Sequence, residues 1–305
     1  MKAAIDIGTN TVLLLVAEYE NGVIKNVHEE HRVPRLGKGV DADKNINEAA
    51  TERVIDALDA YRKILDADFP KVDQIIVTAT SAVRDANNRA AFINRVKEET
   101  GFDIRLLSGR EEAECTAAGA LSVLENVADQ EVLILDIGGG STEIAQVKDG
   151  KVTDGHSFDM GSVRFTERFL SGNPPSPKEI KACRNKIDEF YKSREFKVSD
   201  TIKAVGVAGT VTTLAAMVLN ITNYEPDKLN GHSLTLESVQ NCIKDFSENT
   251  HEDMLAQNPV FLKGREDIFL GGMLILEGFL KHYNFDELLV STGGIRHGAI
   301  ITLAE

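Results

Sequence analysis

The sequence predicts an α/β protein of two domains with a cleft between them. Three observations carry that expectation: a duplicated strand–turn–strand block, an alternation of helical and strand patterns after each copy, and a length that divides into two ordinary domains. The chain has 305 residues, enough for either half to bury a core of its own.

The duplication organises the chain. Near the N-terminus, Ala4-Ile5-Asp6-Ile7-Gly8-Thr9-Asn10-Thr11 precedes an apolar run from Val12 to Ala17 and then Asn21-Gly22. Near the middle, Leu135-Asp136-Ile137-Gly138-Gly139-Gly140-Ser141-Thr142 precedes an apolar run from Ile144 to Val147 and then Asp149-Gly150. Each copy predicts a strand, an Asp-Ile-Gly turn, a second strand and a tight hairpin. Asn-Gly and Asp-Gly best tolerate the positive φ angles of a two-residue hairpin.

After the first copy, residues 47–66 carry Ala50, Val54, Leu58, Tyr61 and Leu65 at helical spacing. Residues 74–79 predict a short buried strand, 88–100 a helix, 102–107 a strand and 109–124 a helix. After the second copy, 178–192 predicts a helix, 203–207 a strand, 237–249 and 267–282 helices, and 287–291 a last strand. Asn173-Pro174-Pro175-Ser176-Pro177 is a loop that stops one element before the next begins. The expected division is 1–125 and 126–305, with the tail from about 297 to 305 free to pack back on the first domain.

Composition narrows the function. Apolar residues make up 42% and charged residues 27%, as in ordinary globular proteins. No apolar run approaches the roughly 20 residues of a membrane span, and the N-terminal Met-Lys-Ala-Ala-Ile-Asp lacks the apolar stretch of a secretory signal. Cys115, Cys183 and Cys242 form no pair at metal or redox spacing, which fits free thiols in a reducing cytoplasm. His28 and His31 lack the spacing of a structural zinc site. A net charge of −14 argues against nucleic acid, which needs a broad cationic face. Any polyanionic ligand must therefore be attracted locally. Residues 31–39 form a glycine-containing loop with Arg32, Arg35 and Lys38. Residues 178–203 are also basic, though a solvated helix face accounts for them.

The duplicated turns suit phosphate. Glycines let the backbone approach an anion, and successive N–H groups in a turn form an anion-binding nest. Gly8, Thr9 and Asn10 supply one turn; Gly138, Gly139, Gly140, Ser141 and Thr142 supply the other. Asp6 and Asp136, which repel phosphate themselves, are candidates to hold a divalent cation. A third glycine motif, with Gly209 and Thr210, follows a strand and opens a helix. A fourth, from Val290 to Gly298, closes the last strand. Each is weak singly; four together suggest a cleft lined by backbone donors.

The spacing of these motifs resembles that of actin, sugar kinases and heat-shock ATPases, which implies two ribonuclease H-like (actin-like ATPase) domains with an interdomain active-site cleft. More narrowly, the chain resembles the exopolyphosphatase and guanosine pentaphosphate phosphohydrolase family. Four segments carry this match: Ala79-Thr80-Ser81-Ala82-Val83-Arg84, Leu107-Ser108-Gly109-Arg110-Glu111-Glu112-Ala113, the segment from Leu135 to Glu143, and the segment from Gly264 to Gly272. The similarity spans essentially the whole chain. Longer family members carry a further C-terminal helical domain, so a chain of this length resembles the short, two-domain form.

Glu111 and Glu112 separate on physical grounds. Ser108-Gly109-Arg110-Glu111 fits a helix capping box, which claims Glu111 for structure. Glu112 leaves the same turn in another direction, and the resemblance implies that it is the general base. Such proton transfer typically contributes roughly 10²–10⁴-fold in rate. Glu143 shares a strand face with Ser141 and is a candidate for the metal or the attacking water. Arg84 is a candidate fork for phosphate oxygens, with a surface arginine near Asp85 as the plain alternative. Arg265 resembles a cleft-facing family position, against an ion pair with Asp267. Arg35 and Lys38 are candidates for gripping the rest of a phosphate chain.

The expectation is thus a hydrolase releasing orthophosphate from the ends of inorganic polyphosphate, with Mg²⁺ (or Mn²⁺) at Asp136 and Asp6 or Glu143 nearby. Its rival removes the terminal 5′ phosphate of guanosine pentaphosphate. An ATP-dependent small-molecule kinase and a non-catalytic nucleotide sensor or filament protein are more distant readings. The sequence leaves a homodimer open.

Overall fold

The computed structural model describes residues 1–124, 127, 130–199 and 201–304. The expected domain boundary at 125/126 lies outside the described residues. The chain divides into two compact units, residues 1–122 with 293–305, and residues 123–292.

The first unit opens with β1 (Lys2–Ile7), β2 (Val12–Glu20) and β3 (Val23–Arg32). Helix α1 (Val40–Asp43), the long α2 (Glu48–Asp68), β4 (Gln74–Ala79), α3 (Ser81–Arg84), α4 (Arg89–Thr100), β5 (Ile104–Leu106) and α5 (Gly109–Ser122) follow. The sheet order is β3-β2-β1-β4-β5, with β1 antiparallel to β2 and parallel to β4. Asn47 caps α2 by accepting the Ala50 N–H. The predicted apolar stripe of α2, Ala50, Val54, Leu58, Tyr61 and Leu65, lies in the core beneath Ile5, Ile7 and Leu14.

The second unit repeats the plan. It holds β6 (Val132–Ile137), β7 (Thr142–Lys148), β8 (Lys151–Phe158), α6 (Ser162–Phe169), α7 (Pro177–Ser193), β9 (Lys203–Val207) and α8 (Ala208–Val218). Then come α9 (Pro226–Leu229), β10 (Ser233–Thr235), α10 (Leu236–Glu248), α11 (His251–Gln257), α12 (Pro259–Leu262), α13 (Phe269–His282) and β11 (Glu287–Val290). The order is β10-β11-β9-β6-β7-β8, with β6 antiparallel to β7 and parallel to β9. Apolar α13, buried along nearly its whole length, anchors this core. The lysines of α7 lie on its solvated face; Lys186 and Lys192 pair with Glu189 and Asp188.

The duplication holds to single-residue register. Ile7 pairs with Val12 in the first hairpin and Ile137 with Thr142 in the second. The β2–β3 and β7–β8 pairs each carry a β-bulge at the equivalent place, Val16/Ala17 and Gln146/Val147. Asn21 and Gly22 have φ of 51° and 82°, Asp149 and Gly150 have 50° and 69°, as a primed two-residue hairpin demands.

The chain ends by returning to the first unit as α14 (Ile295–Leu303), which packs on α5. Ala299 and Ile300 cover Ala4, Leu15 and Ile76 on the sheet face opposite α2. The fourth glycine motif belongs in part to this contact: a Cβ on Gly298 would lie 1.7 Å from the Cys115 carbonyl oxygen. Gly298 is thus taken up by helix packing rather than by a ligand-facing loop. No helix among the described residues is long and apolar enough to cross a membrane.

Candidate active site: two phosphate turns and their carboxylates

In the first unit the turn between β1 and β2 closes with the Gly8 N–H donating to Thr11 O at 2.9 Å. The loop before α1 straps it: Arg35 N–H donates to Asn10 O (3.0 Å) and Gly37 N–H to Thr9 O (2.7 Å). Gly37 is required, because a Cβ there would meet Thr9 Cγ2 at 2.2 Å. A trans peptide points its C=O and N–H in opposite directions, so pinning these two carbonyls turns the Asn10 and Thr11 N–H groups to the other side. The same strap places Arg35 and the exposed Lys38 beside the turn, a local positive charge in an acidic chain. Thr9 Oγ1 and Ser81 Oγ stand 3.0 Å apart, and Thr78 Oγ1 lies 3.2 Å from Asp6 Oδ1.

The second turn reaches the same geometry by another device. Gly138 N–H donates to Ser141 O (3.0 Å), and the first N–H groups of α6 hold the carbonyls, Ser162 on Gly138 O (2.9 Å) and Val163 on Gly139 O (2.9 Å). The Gly139 and Gly140 N–H groups therefore face away from α6. Gly161 makes this approach feasible, since a Cβ there would lie 2.5 Å from Gly139. Sequence reasoning passed over Gly161 and Ser162; the signal was Met160-Gly161-Ser162, a glycine just before an N-terminal helix residue. Thr142, expected among the phosphate ligands, donates its hydroxyl to Met160 O at 2.6 Å. Its one proton is committed to the fold, so its side chain offers phosphate no donor.

Five carboxylates are buried among the described residues: Asp6 at 8% exposure, Asp136 at 5%, Glu112 at 4%, Glu143 at 2% and Glu277, paired with Arg184 and Lys281, at 3%. Burial of that degree requires compensation, and each finds it differently. Glu111 forms the expected capping box, accepting the Ser108 N–H (2.9 Å) and hydroxyl (2.8 Å); those bonds and Arg105 lower its pKa to about 2. Glu112 turns inward from the same turn and accepts from Arg84 Nη1 at 2.9 Å. Arg84 Nη1 also donates to Leu107 O (3.0 Å). Arg84, expected as a phosphate fork, is half-buried against Glu112; the guanidinium favours the carboxylate form that a base needs.

Asp136 and Glu143 are direct partners across β6 and β7, and Glu143 pairs in turn with Ser157 on β8. Direct antiparallel partners share a face with Cβ atoms roughly 4.5–5.5 Å apart. Two carboxylates so placed repel unless a proton or a cation lies between them. The equivalent row of the first unit is Asp6, Leu13, His31. The two hairpins are therefore unequal: the second carries a carboxylate pair and the first a single acid beside an apolar residue. Among the described residues no three His, Cys, Asp or Glu side chains converge as a metal cage. A two-carboxylate edge instead suits Mg²⁺, which keeps several waters and takes substrate phosphates as further ligands.

The third glycine motif forms another cradle in the second unit. Ala208, the first residue of α8 directly after β9, has a φ of 66°, a left-handed conformation costing roughly 1–2 kcal/mol for a residue with a Cβ. Such strain gathers at functional sites, and a left-handed residue followed by helical ones aligns successive N–H groups as an anion nest. Arg265 Nη1 donates to Gly209 O (2.9 Å) and Thr213 Oγ1 (3.0 Å), and only glycine at 209 admits it. Burial lowers the Arg265 pKa, and no neighbouring carboxylate contributes to the shift. An ion pair with Asp267 is therefore not what holds this cation.

A sequence model of the Ppx/GppA phosphatase family matches residues 15–305. The chain belongs to that family. Exopolyphosphatase 2 of Mycobacterium tuberculosis is 32% identical over 317 residues, covering 99% of this chain and 98% of its own. The bifunctional 3-dehydroquinate synthase/phosphatase of Fusobacterium nucleatum subsp. nucleatum is 32% identical over 311 residues. The present chain matches that protein over 99% of its own length but spans only 46% of the relative. A crystal structure of the Ppx/GppA family member from Aquifex aeolicus superposes with a TM-score of 0.81 at 31% identity, covering 99% of this chain and 96% of that one. The actin-like, two-domain α/β fold expected from the motifs is the fold of this family member.

Within the Ppx/GppA frame the four segments of the resemblance fall on distinct structural parts. Ala79 to Arg84 leaves β4 and supplies the arginine beside Glu112; Leu107 to Ala113 starts α5 and supplies Glu112 itself. Leu135 to Glu143 is the second turn with its carboxylate pair, and Gly264 to Gly272 supplies Arg265 and the start of α13. Gly272 makes room for Thr210, whose Oγ1 would lie 2.4 Å from a Cβ there.

Proposed function

We propose that the chain is an exopolyphosphatase that hydrolyses the terminal phosphoanhydride of inorganic polyphosphate and releases orthophosphate. The observation that carries this reading is the Asp136–Glu143 pair in register beside the Gly138–Ser141 turn. That arrangement provides a cation edge and an anion nest within one hairpin. The relative of matching length, named Exopolyphosphatase 2, supports the substrate class.

In this reading the turn amides of Thr9, Asn10, Gly139, Gly140 and Ser141 and the Gly209–Thr210 nest hold phosphate oxygens, the Gly8 N–H being spent on Thr11 O, with half-buried Arg265 supplying positive charge. Asp136 with Glu143 would hold Mg²⁺ or Mn²⁺, which would neutralise charge on the transferring group. Glu112, held by Arg84, accepts a proton from a water as the water's oxygen bonds to the terminal phosphorus. The bridging P–O bond breaks, the shortened chain keeps that oxygen, and orthophosphate leaves. Little covalent chemistry falls to the protein; positioning and charge stabilisation do most of the work.

The test is orthophosphate release from long-chain polyphosphate and from guanosine pentaphosphate, with Mg²⁺ titrated, by the natural protein and Glu112→Gln. The expected result is metal-dependent release, faster from the polymer, reduced about 10²–10⁴-fold in the variant with binding retained. Release from guanosine pentaphosphate alone would reassign the substrate. ATP-dependent transfer to a small molecule without orthophosphate release would overturn the hydrolase reading, and a Glu112→Gln protein at near-full rate would remove Glu112 as base.

A further inference from the structure

Glu143 is as deeply buried as any acid in the second unit, and the side chain that compensates it comes from a residue no motif contains. Ser157 on β8 donates its hydroxyl to Glu143 Oε1 at 2.5 Å, the short range of charge-assisted O–H···O⁻ bonds. The contact follows from register: Glu143 and Ser157 are direct cross-strand partners, while Asp136 partners Glu143 from the other side, on β6. Asp136, Glu143 and Ser157 thus form one row across three adjacent strands. β8 is the edge strand of this sheet, so Ser157 ends the row.

A glutamate has three side-chain torsions, and a loose carboxylate beside Asp136 would swing away from its like charge. Binding Oε1 toward β8 removes that freedom and leaves the other oxygen for the Asp136 side, where a bridging cation would sit. In the first unit the same row is Asp6, Leu13, His31; with no glutamate in the row, no serine stands at its end.

We propose that Ser157 is a positioning residue for Glu143: its hydroxyl holds the carboxylate aimed for divalent-cation binding next to Asp136. This rests on the hydrolase reading for its catalytic consequence but not for its binding consequence, and the experiment separates the two.

The full-length protein, Ser157→Ala, Ser157→Thr and Glu143→Gln are compared first by Mn²⁺ titration without substrate, followed by electron paramagnetic resonance. Ser157→Ala is expected to weaken Mn²⁺ binding about tenfold, the worth of one charge-assisted bond. Ser157→Thr, which keeps the hydroxyl on a strand-compatible side chain, restores it. Ser157→Ala placed in the Glu143→Gln background is expected to add nothing further. In orthophosphate release the alanine variant loses kcat with KM nearly unchanged. Natural Mn²⁺ affinity in Ser157→Ala, or losses that add to those of Glu143→Gln, would overturn the proposal. If the binding results hold while the natural protein hydrolyses neither phosphate substrate, the proposed function fails and the positioning role stands.

Discussion

Replacing Gly298 with alanine asks whether the returning helix α14 sets the position of α5, which carries the proposed base Glu112. The added Cβ would lie 1.7 Å from the Cys115 oxygen and 2.4 Å from its carbonyl carbon, both backbone atoms that cannot rotate aside. Ordinary contact distances are about 3.5 Å, so the two helices must part by roughly 1.5 Å or bend. Overpacking of this kind costs about 1–3 kcal/mol, which lowers the melting temperature by about 2–4 °C per kcal/mol in a chain of this size class. The shift is expected to reach function as well. Glu112, the proposed base, lies on α5 one turn before Cys115, and a displacement near 1 Å in such a group can reduce turnover about 10²-fold. Gly294→Ala is the internal control, because a Cβ there meets nothing within 4 Å and the residue is extended, with a φ of −166°. Calorimetry and orthophosphate release on the two variants decide the matter. A Gly298→Ala protein with natural melting temperature and turnover would refute the reasoning.

Three further outcomes follow from the geometry. Glu111→Ala removes the capping box of α5 and is expected to lower stability by about 1 kcal/mol while retaining turnover, in contrast to Glu112→Gln; chemical denaturation and rate measurements compare them. Gly161→Ala forces the start of α6 off the second turn and is expected to raise KM and lower kcat together, with the far-ultraviolet circular dichroism unchanged. His297, buried on α14 with Nε2 against Asn26 Oδ1 (3.0 Å), has its pKa pushed down to about 3 by burial and by Arg296. Between that value and an ordinary 6.5 the unfolded chain binds the extra proton and the folded one does not, so stability falls as pH drops from about 6.5 toward 3, by up to about 1.4 kcal/mol per unit. His297→Leu is expected to be less stable at pH 7 but to lose less on moving to pH 4, read as melting temperature at the two pH values.

What local chemistry dictates was legible in the sequence. Asn21-Gly22 and Asp149-Gly150 announced their hairpins because few other pairs accept two positive φ angles. The stripe of α2 was visible because its partner is a single sheet face, and the Ser108–Glu111 capping box because both partners lie within one turn. Contacts between distant segments were not legible. A return of the tail from about 297 to 305 to the first domain was expected, but nothing in residues 295–303 indicates that it meets Cys115 and Leu15; the glycines at 294 and 298 looked like a ligand loop because close helix approach uses the same residue. Arg84 could be matched to a motif, but its choice of Glu112 rests on how α3 and α5 meet. Likewise Ser157 is one serine among many until the register of β7 and β8 sets it opposite Glu143. The short helices α9, α11 and α12 carry too few turns for a periodic signal.

The central claim is that water, made ready by Glu112, attacks the terminal phosphorus of a phosphoanhydride chain. Hydrolysis of long-chain polyphosphate in ¹⁸O-enriched water, with Mg²⁺ present, tests it most directly by locating the solvent oxygen. The account predicts one ¹⁸O in each orthophosphate released by the natural protein, none at the ends of the shortened chains, and near-loss of labelled product in Glu112→Gln. Label on the shortened chains, or undiminished labelled orthophosphate from Glu112→Gln, would contradict it.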